Sequence, residues 1–231
     1  MYYGTSFILL IPAMIFAMIA QGRVSSVFKR YSKVRTIKNY TGAKAARMVL
    51  DNNGLSDVEI EQVSGNLTDH YDPKKRVLRL SQTVYGVNSI GAVSVACHEA
   101  GHAIQHSENY VPLKIRNGIV PVVNLASHLT WPLVIIGILL LSSGTYFQGN
   151  LIFNVGVITF LAVIVFHLIT LPVEFNASHR AIEQMVDLRV VTEEEVVGSK
   201  KVLNAAAMTY VAALAMAIAN LLRILAMRGR D

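Results

Sequence analysis

Four long apolar segments divide the chain, at residues 2–20, 119–141, 151–173 and 202–222. Each approaches or reaches the roughly 20 residues that an α-helix needs to cross the hydrocarbon core of a bilayer. The first lacks the basic start and the small-residue cleavage site of a signal peptide, so we expect an uncleaved anchor. An uncharged polar hairpin at residues 142–150 joins the second and third segments. The pattern therefore predicts a polytopic membrane protein with about four apolar helices.

The polar region after the first segment carries shorter patterns. Apolar and basic side chains mix at helical spacing over residues 24–35, which favours an amphipathic helix on the headgroups of an anionic leaflet. Thr41 is predicted to cap a helix that ends near Gly54, and Ser89 to cap another that runs to about His106. Between these helices, residues 58–63 and 77–80 read as short strands. The expected fold class is therefore mainly α with a small β element.

Composition agrees with a membrane protein, because 53% of the residues are hydrophobic and only 16% are charged. Soluble domains have nearer a quarter of charged residues. The net charge of +6 does not indicate a nucleic-acid partner, since the basic residues crowd just after the first apolar segment, where membrane topology explains them. Cys97 is the only cysteine and is expected to be a small buried residue, so neither a disulfide framework nor a thiolate zinc cage is predicted.

His98-Glu99-Ala100-Gly101-His102 is an H-E-x-x-H motif inside the helix predicted to follow Ser89. Residues four apart lie on one face of an α-helix, so the two histidines can offer ring nitrogens to a single zinc ion. Glu99 is placed to take a proton from a zinc-activated water. Two imidazoles leave coordination positions open, as a catalytic zinc site requires. The motif predicts metal-assisted hydrolysis.

Zinc in a hydrolase usually has three protein ligands, so the motif needs a third. His106 is excluded because eight residues along a helix amount to roughly 12 Å. His128 and His167 lie inside apolar segments, where a hydrogen bond to a neighbouring helix is the expected role. Glu174 follows the third apolar segment, on the membrane face expected for the motif helix, and an acidic residue there needs a partner. Glu174 is the favoured ligand, with His179 as its rival.

Several further motifs stand in order along the chain. They are Tyr71-Asp72-Pro73, VLRLS at 77–81, HEAGHAIQ at 98–105, PVEFNAS at 172–178 and AAAMTYVA at 205–212. Together these motifs resemble the bacterial YugP-type membrane zinc metallopeptidases, also called neutral zinc metallopeptidases, over nearly the whole chain. More remotely, the helix pair resembles the membrane proteases that include the prenyl-protein endopeptidases.

The resemblance implies a membrane-embedded, zinc-dependent endopeptidase with Glu99 as the general base. In the wider group a glutamate on a later helix completes the zinc site, which supports Glu174. An aspartate four residues further on often orients a zinc histidine there, and Ser178 takes that place in this chain. The alternative function is a zinc-binding, catalytically silent membrane scaffold that assists membrane-protein assembly.

Other residues and partners follow from the same reasoning. His179, Arg180 and Tyr210 are candidates for stabilising the oxyanion. The strand at residues 77–80 precedes the motif helix, as an edge strand does in related peptidases, so the resemblance implies that it lies at a sheet edge and could pair with an extended substrate. The expected partners are the lipid bilayer and a polypeptide substrate that is membrane-associated or unfolded, with no nucleic acid.

The resemblance implies a bacterial plasma (inner) membrane, and the distribution of Lys and Arg predicts the orientation of the chain in it. Basic residues follow segment one, precede segment two and follow segment three, so these loops are expected in the cytoplasm and residues 142–150 outside. Arg223, Arg228 and Arg230 do not fit, which leaves open whether segment four fully crosses. Three regions are expected: an anchor at 1–22, a cytoplasmic catalytic region at 23–117, and at 118–231 the membrane hairpin, the Glu174 helix and an alanine-rich membrane segment.

Overall fold

The structure is a computed structural model and describes residues 7–228. Residues 2–6 of the first apolar segment, and Arg230, lie outside the described residues. The elements in chain order are α1 (Ile11–Tyr31), α2 (Gly42–Asn52), β1 (Glu59–Val63), β2 (His70–Asp72), β3 (Val77–Ser81), α3 (Ile90–Ser107), α4 (Val111–Ser142), α5 (Tyr146–Asp187) and α6 (Glu193–Arg228). The prediction of a mainly helical protein with a small sheet is confirmed.

The described residues form two compact units that interleave along the sequence. The first, here called the helical unit, comprises residues 7–19, 115–171 and 210–228. The second, here called the mixed unit, comprises Ala20–Lys114 and Pro172–Thr209 and holds the sheet. The four long helices α1, α4, α5 and α6 each contribute residues to both units. The three consecutive regions expected from the sequence stay a prediction, and α1 runs through the first of their boundaries.

Side-chain caps begin the two shorter helices of the mixed unit, as the sequence predicts. Thr41 Oγ1 accepts a hydrogen bond from the Lys44 N–H at 3.2 Å at the start of α2. Ser89 Oγ accepts one from the Ala92 N–H at 3.2 Å at the start of α3. Each hydroxyl satisfies a backbone donor that has no acceptor within its own helix. The position of the motif helix is therefore specified locally at its first turn.

The sheet has the strand order β1–β3–β2. β3 pairs in parallel with β1, where Leu78 lies opposite Ile60, and antiparallel with β2, where Leu78 lies opposite Tyr71. The expectation that residues 77–80 form an edge strand is therefore wrong, because both edges of β3 are occupied. Burial agrees with the central position, since Leu78 and Leu80 are fully buried. A central strand exposes no backbone hydrogen-bonding groups for a substrate.

The core of the mixed unit forms where α2 and α3 pack with the sheet. The contribution of α3 consists mainly of small side chains, which allow neighbouring elements to approach its axis closely. The buried residues of this core include Ala45, Ala46, Val49 and Leu50 on α2, Leu78 and Leu80 on β3, and Ala92, Ala96, Cys97, Ala100, Ala103 and Ile104 on α3. Burial raises the pKa of the Cys97 thiol to about 12, in agreement with the expected buried residue.

The four long helices α1, α4, α5 and α6 are each long and apolar enough to cross a membrane. Within the helical unit, α4 and α5 approach closely at glycines. A Cβ on Gly137 would lie 2.7 Å from the Phe153 nitrogen, and one on Gly156 would lie 2.9 Å from a methyl carbon of Val134. Phe153 and Val134 are fully buried in one cluster with Ile224 of α6. Small residues at helix crossings are typical of helices that pack against each other in a membrane.

The end of α6 lies beside the start of α5. Arg228 donates hydrogen bonds to Asn154 Oδ1 at 2.7 Å and to Asn150 Oδ1 at 3.1 Å. Because α5 begins just after the turn at residues 143–145, these contacts place the end of α6 at the hairpin end of the helical unit. Segment four therefore reaches the hairpin end in the structure.

Candidate metal centre

The motif helix α3 presents His98 and His102 on the one turn that also carries Glu99. The histidine side chains are 14% and 12% exposed, and their rings stand nearly perpendicular, with centroids 4.8 Å apart. Glu99 is half-buried beside them. The rest of this turn is formed by Ala100 and Gly101, which are buried against other elements of the mixed unit. Within this turn, the partly exposed side chains are therefore those of His98, Glu99 and His102.

Glu174 reaches this face because α5 approaches α3 at Gly101. A Cβ at residue 101 would lie 2.7 Å from the Ala177 carbonyl oxygen, nearer than real Cβ atoms come. The Ala177 oxygen belongs to the backbone of α5, so a side-chain rotation cannot move it aside. Ala177 follows Glu174 by about one helical turn and is fully buried. The glycine inside the motif thus sets the distance between the histidines and Glu174.

The three predicted ligands converge. Glu174 Oε2 lies 3.3 Å from His98 Nε2 and 3.6 Å from His102 Nε2, and all three ligand atoms lie within 4.8 Å of one another. A tetrahedral zinc with bonds of about 2.0–2.1 Å holds its ligand atoms about 3.3–3.4 Å apart. A charge-assisted hydrogen bond would be shorter, at about 2.7–2.9 Å. The residues present therefore fit a metal ion, with two imidazoles and a carboxylate as donors.

The electrostatics of the group also favour a cation. Burial alone would lower the pKa of the His102 imidazole, but its interaction with the nearby Glu174 carboxylate outweighs the desolvation and raises the pKa. The charge of Glu99 acts in the same direction. Two carboxylates thus create a site in which positive charge is stabilised, whether it is a proton or a metal cation.

Both histidines are held through their Nδ1 atoms. Ser178 Oγ lies 3.2 Å from His98 Nδ1, and Gln105 Oε1 lies 3.0 Å from His102 Nδ1. The remaining ring nitrogen of each, Nε2, is the one that faces Glu174. Ser178 therefore contacts His98 from the position at which the wider group has an aspartate. The sequence motifs predict no such role for Gln105, although its position three residues after His102 on the same helix indicates that the two side chains can meet.

The other candidates from the sequence lie outside this group. The His179 side chain is 69% exposed and its Nε2 lies 3.0 Å from Glu183 Oε1, and it does not join the metal-ligand group formed by the described residues. Arg180 forms an ion pair with Glu108 at 2.6 Å. Tyr210 lies on α6 in the range of the helical unit. The roles of these three residues in stabilising an oxyanion stay predictions.

Two excluded histidines have partners of their own. Tyr71 Oη lies 2.9 Å from His106 Nδ1, and burial lowers the pKa of His106. His128 Nδ1 lies 2.8 Å from the Asn124 carbonyl oxygen, one turn earlier on the same helix. Nδ1 of His128 is therefore satisfied within its own helix, and the expected bond to a neighbouring helix, for which the ring has Nε2, stays a prediction.

Comparison with known proteins identifies the class. The family described as "Putative neutral zinc metallopeptidase" matches residues 6–229, and the chain belongs to that family. It is similar to the "Putative membrane protease YugP" of Bacillus subtilis (strain 168), with 51% identity over 214 residues that make up 92% of each chain. No solved structure matches the chain. The resemblance drawn from the sequence motifs is thus confirmed at the level of the family.

Gly101→Ala tests the close approach of α3 and α5. The added methyl group must push α5 away from the histidines, and overpacking of this kind costs about 1–3 kcal/mol. We expect zinc affinity to fall roughly tenfold or more, together with a lower melting temperature. Gly22→Ala in α1 is the matched control, because nothing lies within 4 Å of a Cβ at that position. Wild-type zinc affinity in Gly101→Ala would contradict this prediction, because it would show that α3 and α5 can accommodate a methyl group at residue 101.

Proposed function

We propose that this protein is a membrane-embedded zinc endopeptidase that hydrolyses peptide bonds at the cytoplasmic face of a bacterial plasma membrane. The observation that carries the proposal is the convergence of His98, His102 and Glu174 beside Glu99. A donor set of two histidines and one glutamate leaves a coordination position open, which a structural zinc site does not. Family membership supports zinc as the metal and proteolysis as the class of reaction.

Three of these residues would bind the metal ion, and the fourth would transfer the proton. His98 and His102 would hold the ion through Nε2, and Glu174 through Oε2. Bound zinc supplies a Lewis acid that polarises the scissile carbonyl and lowers the pKa of water to about 7. Glu99 accepts a proton from the water whose oxygen attacks the carbonyl carbon. The same carboxyl group then gives that proton to the amine nitrogen as the C–N bond breaks.

The substrate we propose is a polypeptide that is membrane-associated or unfolded. An extended segment cannot pair with β3, which is the central strand. The outer strand beside the motif helix is β2, whose Tyr71 contacts His106 at the end of α3. β2 is therefore the strand that can offer backbone groups to an extended substrate.

Metal analysis tests the ligand set. Purified wild-type protein is expected to hold about one zinc per chain, and His98→Ala or His102→Ala is expected to lose it, because two ligands cannot retain the ion tightly. Glu174→Ala should bind zinc much more weakly. The control is His179→Ala, the rival third ligand, which should keep its zinc. If His179→Ala lost zinc while Glu174→Ala kept it, the third ligand would be wrongly assigned.

The Glu99→Gln variant tests the role of Glu99 as general base separately from zinc binding. The amide cannot accept the proton from water, and a general base typically contributes about 10²–10⁴-fold to the rate. Cleavage of an unfolded polypeptide by detergent-solubilised protein should fall by that factor while zinc content stays constant. Glu183→Gln, an exposed carboxylate on α5, serves as the control and should cleave normally. Undiminished cleavage by Glu99→Gln would exclude Glu99 as the base.

The proposed orientation is tested by labelling single cysteines in a Cys97→Ala background. Lys75→Cys lies in the exposed turn before β3, and Ser143→Cys lies in the exposed hairpin turn. In intact cells, an impermeant thiol reagent should label residue 143 and should reach residue 75 only after the membrane is opened. Labelling of residue 75 in intact cells would reverse the orientation.

A further inference from the structure

We propose that Gln105 is a positioning residue for the metal centre, and that it selects the ring tautomer in which His102 can bind zinc through Nε2. The proposal rests on the zinc site of the proposed function, but not on the peptidase reaction. It follows from a chain of hydrogen bonds that runs from His102 through Gln105 and Asn176 to Arg180.

The orientation of the Gln105 amide is determined by its partners on α5. The side chain is fully buried, and Nε2 donates to the Val173 carbonyl oxygen at 2.8 Å and to Asn176 Oδ1 at 2.9 Å. A backbone carbonyl can only accept, so the nitrogen of Gln105 must point toward α5. The amide oxygen is then the atom that lies 3.0 Å from His102 Nδ1.

This orientation decides where His102 carries its proton. An amide oxygen can only accept, so His102 Nδ1 must donate and bears the hydrogen. In a neutral imidazole the other nitrogen, Nε2, then has the lone pair, and Nε2 is the atom that lies 3.6 Å from Glu174 Oε2. Gln105 thus holds His102 in the form that can bind a metal at the converging site.

The side-chain amide of Asn176 is also held in one orientation. Its Oδ1 accepts from Gln105 Nε2 and also from Arg180 Nε at 2.8 Å. Arg180 forms an ion pair at 2.6 Å with Glu108, the C-cap residue of α3. Both lone pairs of the Asn176 oxygen are therefore used, and an oxygen rather than a nitrogen is required at that position. The network joins α3 and α5 on the side of His102.

The hydrogen-bond partner of His98 does not select a ring tautomer in this way. Its partner is Ser178 Oγ at 3.2 Å, and a hydroxyl can rotate to donate or to accept. Ser178 can therefore hold the ring in place without choosing its tautomer. This difference provides an internal comparison, because the loss of Ser178 should matter less than the loss of Gln105.

The test measures zinc affinity of the purified full-length protein by competition with a chelator, beside the melting temperature of the metal-free protein. Gln105→Leu removes the amide at similar volume and should lower zinc affinity about 10–100-fold, the range typical of such supporting partners. Ser178→Ala should lower it less. In the double variant with Asn176→Leu, affinity should fall no further than in Gln105→Leu, since both changes break the same chain.

Two variants at residue 176, compared with the wild-type Asn176, separate positioning from packing. Asn, Asp and Leu are similar in size, but only Asn and Asp offer an oxygen to Gln105 and Arg180. Asn176→Asp should therefore keep near wild-type zinc affinity, whereas Asn176→Leu should lose several-fold. If Gln105→Leu does not fold, the comparison of Asn176→Asp with Asn176→Leu tests the proposal in its place.

Wild-type zinc affinity in Gln105→Leu, or equal losses in Asn176→Asp and Asn176→Leu, would overturn the positioning role. A fall in the melting temperature of the metal-free protein with unchanged zinc affinity would also overturn it, because the network would then be structural only. A wild-type protein that binds zinc but cleaves no polypeptide would contradict the peptidase reaction and leave the role of Gln105 intact.

Discussion

The site depends on the contact between α3 and α5 at Gly101. With 2.7 Å between a notional Cβ on Gly101 and the Ala177 carbonyl oxygen, the helices are as close as their backbones permit. His98 and His102 are four residues apart on α3, and Glu174 and Ser178 are four residues apart on α5, so one turn of each helix faces one turn of the other. The distances from Glu174 to the two histidines follow from this crossing, and the small side chains of α3 allow it.

The same crossing explains why the buried polar groups are tolerated. Glu174 is 3% exposed, and a buried carboxylate is unfavourable unless opposite charge and hydrogen bonds compensate for the lost water. His98 and His102 lie on one side of it, and Gln105 ties the neighbouring backbone at Val173 to α3. A cation bound among these residues would balance the charge that burial makes costly. Stability and metal binding are therefore coupled at one helix crossing.

Much of this arrangement can be predicted from the sequence, because its signals are local. The spacing of His98 and His102, and the caps at Thr41 and Ser89, depend only on helical geometry. Strand order is different, since neither the short β2 nor the central position of β3 has a local signature. Gln105 shows most clearly which features lack a local signal, because its partners on α5 are 68 and 71 residues away along the chain. Only the packing of the two helices shows that its amide has a fixed orientation.

X-ray absorption spectroscopy at the zinc edge of the purified full-length protein tests the ligand set His98, His102 and Glu174, because it reports the atoms bound to zinc without requiring activity. We expect a first coordination shell of nitrogen and oxygen at about 2.0–2.1 Å. We also expect outer-shell scattering from two imidazole rings, those of His98 and His102. A sulfur ligand at about 2.3 Å, which only cysteine thiolate would supply at that distance, would exclude this ligand set. So would a spectrum that requires one imidazole or three.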